Sequence, residues 1–249
     1  MSEINFSNLD YEAFRSLAKD EKINQHERVG FPSSYREDKD QFILDDILSK
    51  LQNLKLTHKK FLEIGPGWSD LTHRIINYSA QQQHEVVLVD SPEMLALIPD
   101  FPHVKKISAK FPEILEEIAK EGPFDAILTY SVIQYPFFDG NMWNFIDAAA
   151  SLLAPEGQFL IGDIPNTSMR KRFLASPTAL AYHKKYHSDS GELPPQPVFN
   201  KLEPMAIDDG VMVGIFMRLR LAGFHVFILP QDNNLPMSNR REDILVVCP

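Results

Sequence analysis

The chain has 249 residues, of which 44% are hydrophobic and 24% charged, near globular averages, so a disordered, collagen-like or fibrous chain is excluded. A formal net charge of −9 argues against a surface that neutralises a nucleic-acid backbone, although an acidic whole can still hold a basic pocket for a small anion. The longest apolar run that tolerates a glycine, Val211 to Met217, falls well below the roughly 18 residues of a membrane span.

Met1 to Ser7 lacks the basic start and apolar stretch of a secretory signal. The single cysteine, Cys248, closes no internal disulfide and reads as an ordinary strand-end thiol in a reducing, cytoplasmic setting. The expectation is one domain over 1–249 with neither nucleic acid nor membrane as partner.

In chain order, Phe42, Ile43, Ile47, Leu48 and Leu51 have helical spacing and close an N-terminal helical segment, 1–58. Lys60 to Gly67 reads as strand and tight loop, and Leu71 to Tyr78 as the helix that follows. His84 to Asp90 is a second strand, and Pro92 can open the next helix. Val104 to Ile107 is a third strand, followed by a helix through Ile114, Leu115 and Ile118. Phe124 to Tyr130 is a fourth strand, Met142 to Leu153 a helix and Gln158 to Asp163 a fifth strand. Strands alternating with helices imply parallel pairing through right-handed crossovers, hence an α/β doubly wound, mostly parallel sheet.

Residues 166–204 break the pattern with a basic cluster, two histidines and the Pro194-Pro195-Gln196-Pro197 stretch, and read as a substrate-side insertion or lid after strand 5. Asp208-Asp209 can cap a helix running to Gly223. Phe224 to Leu229 and Asp243 to Val247 then form an antiparallel hairpin at the sheet edge.

The strongest chemical signal is Glu63-Ile64-Gly65-Pro66-Gly67-Trp68-Ser69. Two glycines one residue apart after a buried strand let the backbone turn sharply and approach a ligand, although a tight turn alone would also explain them. A dinucleotide fingerprint would place a third glycine where Asp70 stands, and a carboxylate there repels a pyrophosphate. No Gly-Lys-Ser/Thr follows, so a triphosphate site has no support. Asp90 ends the second strand 23 residues beyond Gly67, where an acidic group accepts from ribose hydroxyls. A phosphate-free adenosine ligand fits both ends of such a crevice.

These segments resemble the class I S-adenosylmethionine-dependent methyltransferases, through Phe61 to Gly67 with Val87 to Asp90, Phe124 to Leu128, Leu152 to Gly157 and the terminal hairpin. The resemblance runs from about Tyr35 to the C-terminus, except for the insertion. It implies a Rossmann-like seven-stranded sheet and S-adenosyl-L-methionine as cofactor. Gly65 and Gly67 would face the methionine moiety with Glu63 nearby, Asp90 would hold the ribose, and Ser91, Met94 and Ala109 would meet the adenine. Many members carry an acidic residue after the third strand, where this chain has Ser108-Ala109-Lys110. N-terminal segments of the family often fold over the cofactor, so Tyr35 is either part of that lid or a packing residue on the sheet. Ser131 to Tyr135 and Gly162 to Asn166 are similar to a bacterial subgroup associated with surface-polysaccharide or sugar-nucleotide biosynthesis.

Methyl transfer from a sulfonium is an in-line displacement with an activated donor, so positioning carries most of the work. Ligands of open α/β sheets lie beyond the carboxyl ends of the strands, which brings Tyr130 to Tyr135 and Asp163 to Asn166 to the methyl end. Tyr130 is assigned to the cofactor, and Gln134, Tyr135 and Asn166 to the acceptor. Asp163, His183 and His187 are candidate bases. Asp163 can equally cap the turn through Pro165, and the two histidines can equally lie on a solvated helix face; no metal site is expected from them. Arg170 and Arg172 stand in an insertion with six Lys/Arg against three Asp/Glu, which suits an anionic acceptor such as an acidic sugar or sugar nucleotide, or else a solvated basic face. Trp68 and Trp143 read as packing residues rather than acceptor platforms, although either role suits an indole. The competing readings are a catalytically inactive S-adenosylmethionine-binding partner or sensor, and a nicotinamide-dependent oxidoreductase.

Overall fold

The computed structural model describes residues 9–20, 23, 25–28, 30, 38–186, 196–201 and 203–249. Tyr35 and His187 lie outside the described residues. Two helices, α1 (Tyr11–Lys19) and α2 (Gln25–Arg28), precede α3 (Asp40–Lys50). The sheet comprises β1 (Lys60–Ile64), β2 (Glu85–Asp90), β3 (Val104–Ser108), β4 (Phe124–Tyr130), β5 (Leu153–Pro165), β6 (His225–Pro230) and β7 (Arg241–Val247). Between them run α4 (Asp70–Gln81), α5 (Pro92–Leu97), α6 (Leu115–Ala119), α7 (Gln134–Phe138), α8 (Met142–Ser151), α9 (Thr167–Leu174), α10 (Pro177–Tyr186) and α11 (Asp209–Leu221).

The seven strands lie in the order β3-β2-β1-β4-β5-β7-β6, with β7 running opposite to the other six. This is the expected mostly parallel sheet with an antiparallel C-terminal hairpin. Its buried strands read as continuous apolar runs because both faces are covered, and successive residues serve opposite cores. Leu62, Val87, Val89, Ile127, Phe159 and Ile161 face a core shared with Phe145 and Ile146 of α8 and Ile215 and Leu219 of α11. Their chain neighbours Phe61, Val86, Leu88, Leu128 and Leu160 face the other core, with Ile43 and Ile47 of α3 and Ile75 and Ile76 of α4.

The order of connection reverses between β1 and β4, the topological switch point where open α/β sheets form a crevice. The register Ile64↔Val89 brings the loop after β1 level with the end of β2.

The structure departs from the sequence-based boundaries in two places that matter. Strand β5 starts at Leu153 rather than Gln158, and its register against β7 shifts between Ile161 and Ile164. Asp163 occupies that irregularity with φ +60°. The segment after Pro165 carries two helices: Asn166 caps α9 by accepting from the Met169 N–H at 3.1 Å, and α10 follows after Ser176.

Candidate active site

The glycine loop forms because β1 must turn at once into α4. Gly65 (φ +72°) and Gly67 (φ +61°) adopt left-handed backbone that a side chain would oppose. A Cβ on Gly65 would also lie 2.8 Å from a methyl of Val132, so the loop packs tightly on the segment after β4. The Gly65 N–H donates to the Val89 carbonyl at 2.9 Å, and the Thr72 hydroxyl donates to the Pro66 carbonyl at 3.0 Å.

Asp90 joins the two ends of the crevice. Its Oδ2 accepts from the Gly67 N–H at 3.1 Å and its Oδ1 from the Ser91 N–H at 2.6 Å. The 23-residue spacing therefore corresponds to a direct hydrogen bond. Glu63, at the base of the cleft, is only 3% exposed, and its Oε2 is buried with no hydrogen-bond partner. Burial, and secondarily the charge of Asp90, pushes the Glu63 carboxyl up to about 8. Burial also raises Asp90 to about 6 against the lowering effect of its hydrogen bonds from Ser91 and Gly67. The cleft floor thus holds two carboxyl groups that a cationic ligand would help to ionise.

Helix α1 roofs this floor. Asp10 caps it by accepting from the Ala13 N–H at 2.7 Å, and Tyr11 and Phe14 line the cleft. Phe14 meets Tyr135 edge-on, with ring centroids 4.8 Å apart. Lys110, which pairs with Asp139 at 3.1 Å, lies 5.7 Å from the centre of the Tyr11 ring. Burial, then Asp90, raises the Tyr11 hydroxyl to about 12. Tyr11 and Phe14 are lining residues that the sequence analysis missed; Lys110 is one to which it gave no role, and Val132 lies within the Tyr130 to Tyr135 segment it brought to the cleft. The capped helical spacing of Tyr11, Phe14 and Ala18 marks a helix with one apolar face, but nothing local says what that face covers.

Of the residues assigned to the cofactor, Glu63, Gly65, Gly67, Asp90, Met94, Ala109 and Tyr130 converge on one cleft. Ser91 is fully buried and caps α5, its hydroxyl accepting from the Met94 N–H at 3.2 Å. Among the acceptor-side residues, Tyr135 lines the cleft, whereas Gln134 is buried and donates to the Ser131 carbonyl at 2.7 Å. Asn166 turns away from the cleft, donating to Asp209 at 2.8 Å and Glu242 at 2.6 Å. Arg172 pairs with Asp209, and Arg170 is exposed on α9; neither lines the cleft. His183 is half-buried on α10 and also lies outside the lining.

Asp163 is likewise outside the lining and only 4% exposed. Its carboxylate accepts from the Ser131 hydroxyl, from Arg241 at 2.9 Å and from Gln231 at 3.3 Å, while its backbone N–H donates to Asp243 at 2.8 Å. The structure therefore places this candidate base in a buried network behind the cleft wall.

No protein-family model matches the sequence, and no curated protein is significantly similar to it. Solved structures do match. The N-methyltransferase NodS from Bradyrhizobium japonicum, crystallised with S-adenosyl-L-homocysteine, is 11% identical over 96% of this chain and 98% of its own, with a TM-score of 0.52. The plantazolicin methyltransferase BpumL, in complex with a monoazolic desmethylPZN analogue and S-adenosylhomocysteine, is 12% identical over 96% of each chain, with a TM-score of 0.53. The chain also spans 63% of a longer structure from Nostoc punctiforme, at 15% identity and a TM-score of 0.49. The fold is thus that of the class I methyltransferases. Among the described residues, no helix is long and apolar enough to cross a membrane.

Proposed function

We propose that the chain is an S-adenosylmethionine-dependent methyltransferase acting on a small-molecule acceptor. The observation that carries this reading is the Gly67–Asp90 hydrogen bond beside the unpartnered buried Oε2 of Glu63. A tight glycine loop and a strand-end carboxylate suit an adenosyl group without phosphates. A buried acidic floor suits a ligand that brings positive charge, and opposes one that brings pyrophosphate. Asp90 would accept from the ribose hydroxyls, Glu63 would face the charged methionine end, and Met94 and Ala109 would flank the adenine. S-adenosylmethionine supplies an activated methyl group when bound. The residues of the chain would align the acceptor and exclude water, with α1 as roof and Tyr130 and Tyr135 as walls.

An anionic sugar-type acceptor gains no support from the cleft. Arg172 is committed to Asp209, Arg170 lies outside, and Lys110 is paired with Asp139. A cytoplasmic location agrees with the lone cysteine.

A second reading is a catalytically inactive S-adenosylmethionine-binding protein. The position of Asp163 behind the wall and of His183 on α10 favours it, because neither of these two described candidate bases lines the cleft. Incubation with S-adenosylmethionine and a panel of small-molecule amines, alcohols and acids, followed by assay of S-adenosylhomocysteine, separates the two. Acceptor-dependent release that Asp90→Ala abolishes supports the enzyme; tight cofactor binding with no release across the panel supports the second reading.

A further inference from the structure

Ser131 and Asp163 stand at the carboxyl ends of β4 and β5, and each has φ +60°. Left-handed backbone is uncommon for a residue with a side chain; aspartate tolerates it better than most, so Ser131 is the one whose conformation needs a cause. That cause is its contact with Asp163. The Ser131 hydroxyl donates to the Asp163 carboxylate, and the Ser131 N–H donates to the Gly162 carbonyl at 3.0 Å. Asp163 is itself held from behind: Arg241 donates to both its carbonyl and its carboxylate, and its N–H donates to Asp243, which also accepts from Lys50.

The conformation of Ser131 decides what faces the cleft on either side of it. Before it, the Tyr130 ring lies against Gly162, where a Cβ would clash with the ring carbons. After it, Val132 packs under Gly65. Both side chains line the cleft, as does Ser131. Extended or right-handed backbone at Ser131 would redirect them.

We propose that Asp163 is a positioning residue. It locks Ser131 in left-handed backbone and thereby sets the Tyr130–Val132 wall against which the methyl-bearing end of the cofactor packs. This role rests on the cofactor-binding reading above, and it needs no proton transfer by Asp163.

Glycine and alanine at position 131 separate a conformational role from a merely structural one. Both remove the hydroxyl, but only alanine is opposed to φ +60°. The experiment is calorimetric titration with S-adenosylhomocysteine of the wild type, Ser131→Ala, Ser131→Gly and Asp163→Asn, with Tm measured alongside. The expected result is an approximately tenfold higher Kd for Ser131→Ala, from the cost of left-handed backbone in a residue with a side chain, a rise below about threefold for Ser131→Gly, and a rise below about threefold for Asp163→Asn, whose amide oxygen still accepts from the Ser131 hydroxyl. Equal Kd values for the alanine and glycine variants, or Tm losses with Kd unchanged throughout, would overturn the positioning role while leaving the cofactor reading intact. If Asp163→Asn does not fold, the Ser131 pair carries the test, since it leaves Arg241 and Asp243 untouched. A wild type that does not bind would overturn the cofactor reading, and this role with it.

Discussion

Arg15 grips Glu93 at both carboxylate oxygens, Nε to Oε2 at 2.8 Å and Nη2 to Oε1 at 2.7 Å, and so ties α1 to α5 across the cleft. Lys19 reaches the same carboxylate at 3.0 Å, and the hydrogen bonds from Arg15 and Lys19 lower Glu93 to about 2. The pair anchors α1, which carries Tyr11 and Phe14 over the cleft, to α5. Arg15→Ala should therefore weaken S-adenosylhomocysteine binding although Arg15 lies outside the cleft lining. Phe14→Ala, which removes the edge-on contact with Tyr135, should cost about 1 kcal/mol, roughly fivefold in Kd. Titration of the two variants checks this; wild-type affinity in both would show that α1 does not act as a roof.

The Glu63 carboxyl makes stability depend on pH. Its ordinary value is 4.5 and burial raises it to about 8, so between those values the unfolded chain holds fewer protons than the native one. Stability from this group is then greatest below about pH 4.5 and falls as pH rises toward about 8, by an amount on the order of a few kcal/mol. Tm of the ligand-free protein should decline across that window, and Glu63→Gln should flatten the decline. A sulfonium ligand reverses the preference, because it favours the ionised carboxylate. Affinity for S-adenosylmethionine should rise with pH over the same window in the wild type and much less in Glu63→Gln.

At position 162 only glycine leaves room for the Tyr130 ring, which a Cβ there would meet within van der Waals distance. Gly162→Ala should push that ring into the cleft and raise the Kd for S-adenosylhomocysteine, with the overpacking costing about 1–3 kcal/mol. A Tyr130→Ala change in the same background should relieve the clash. Its effect on Tm of the Gly162→Ala protein is the discriminating measurement.

Arg172 and Asp209 are both about half exposed, at 54% and 50%. Their pairing should contribute below about 1 kcal/mol to stability. Arg172→Ala should lower Tm slightly and leave S-adenosylhomocysteine affinity unaltered. A large loss of affinity would instead connect α9 to the cofactor.

The sheet and its cofactor end were legible from local signals. Buried parallel strands such as Val86 to Val89 read as apolar runs, and the glycine loop with Asp90 is a spacing on two adjacent strands. What escaped the sequence depends on contacts between distant segments. Phe14 meets Tyr135 from the other half of the chain, and Asp163 takes its partners from Ser131, Gln231, Arg241 and Asp243. A carboxylate at a strand end looks the same in sequence whether it faces a crevice or a buried arginine. Only the irregularity in β5 turns Asp163 toward the latter.

Competitive calorimetry of S-adenosylmethionine, S-adenosylhomocysteine and NADH against the wild type and Asp90→Ala is the most direct measurement. The structure predicts that both adenosyl-sulfur compounds bind the wild type more tightly than NADH, and that Asp90→Ala loses at least about tenfold in affinity for them. Tighter binding of NADH, or binding of S-adenosylhomocysteine that is indifferent to Asp90, would contradict it.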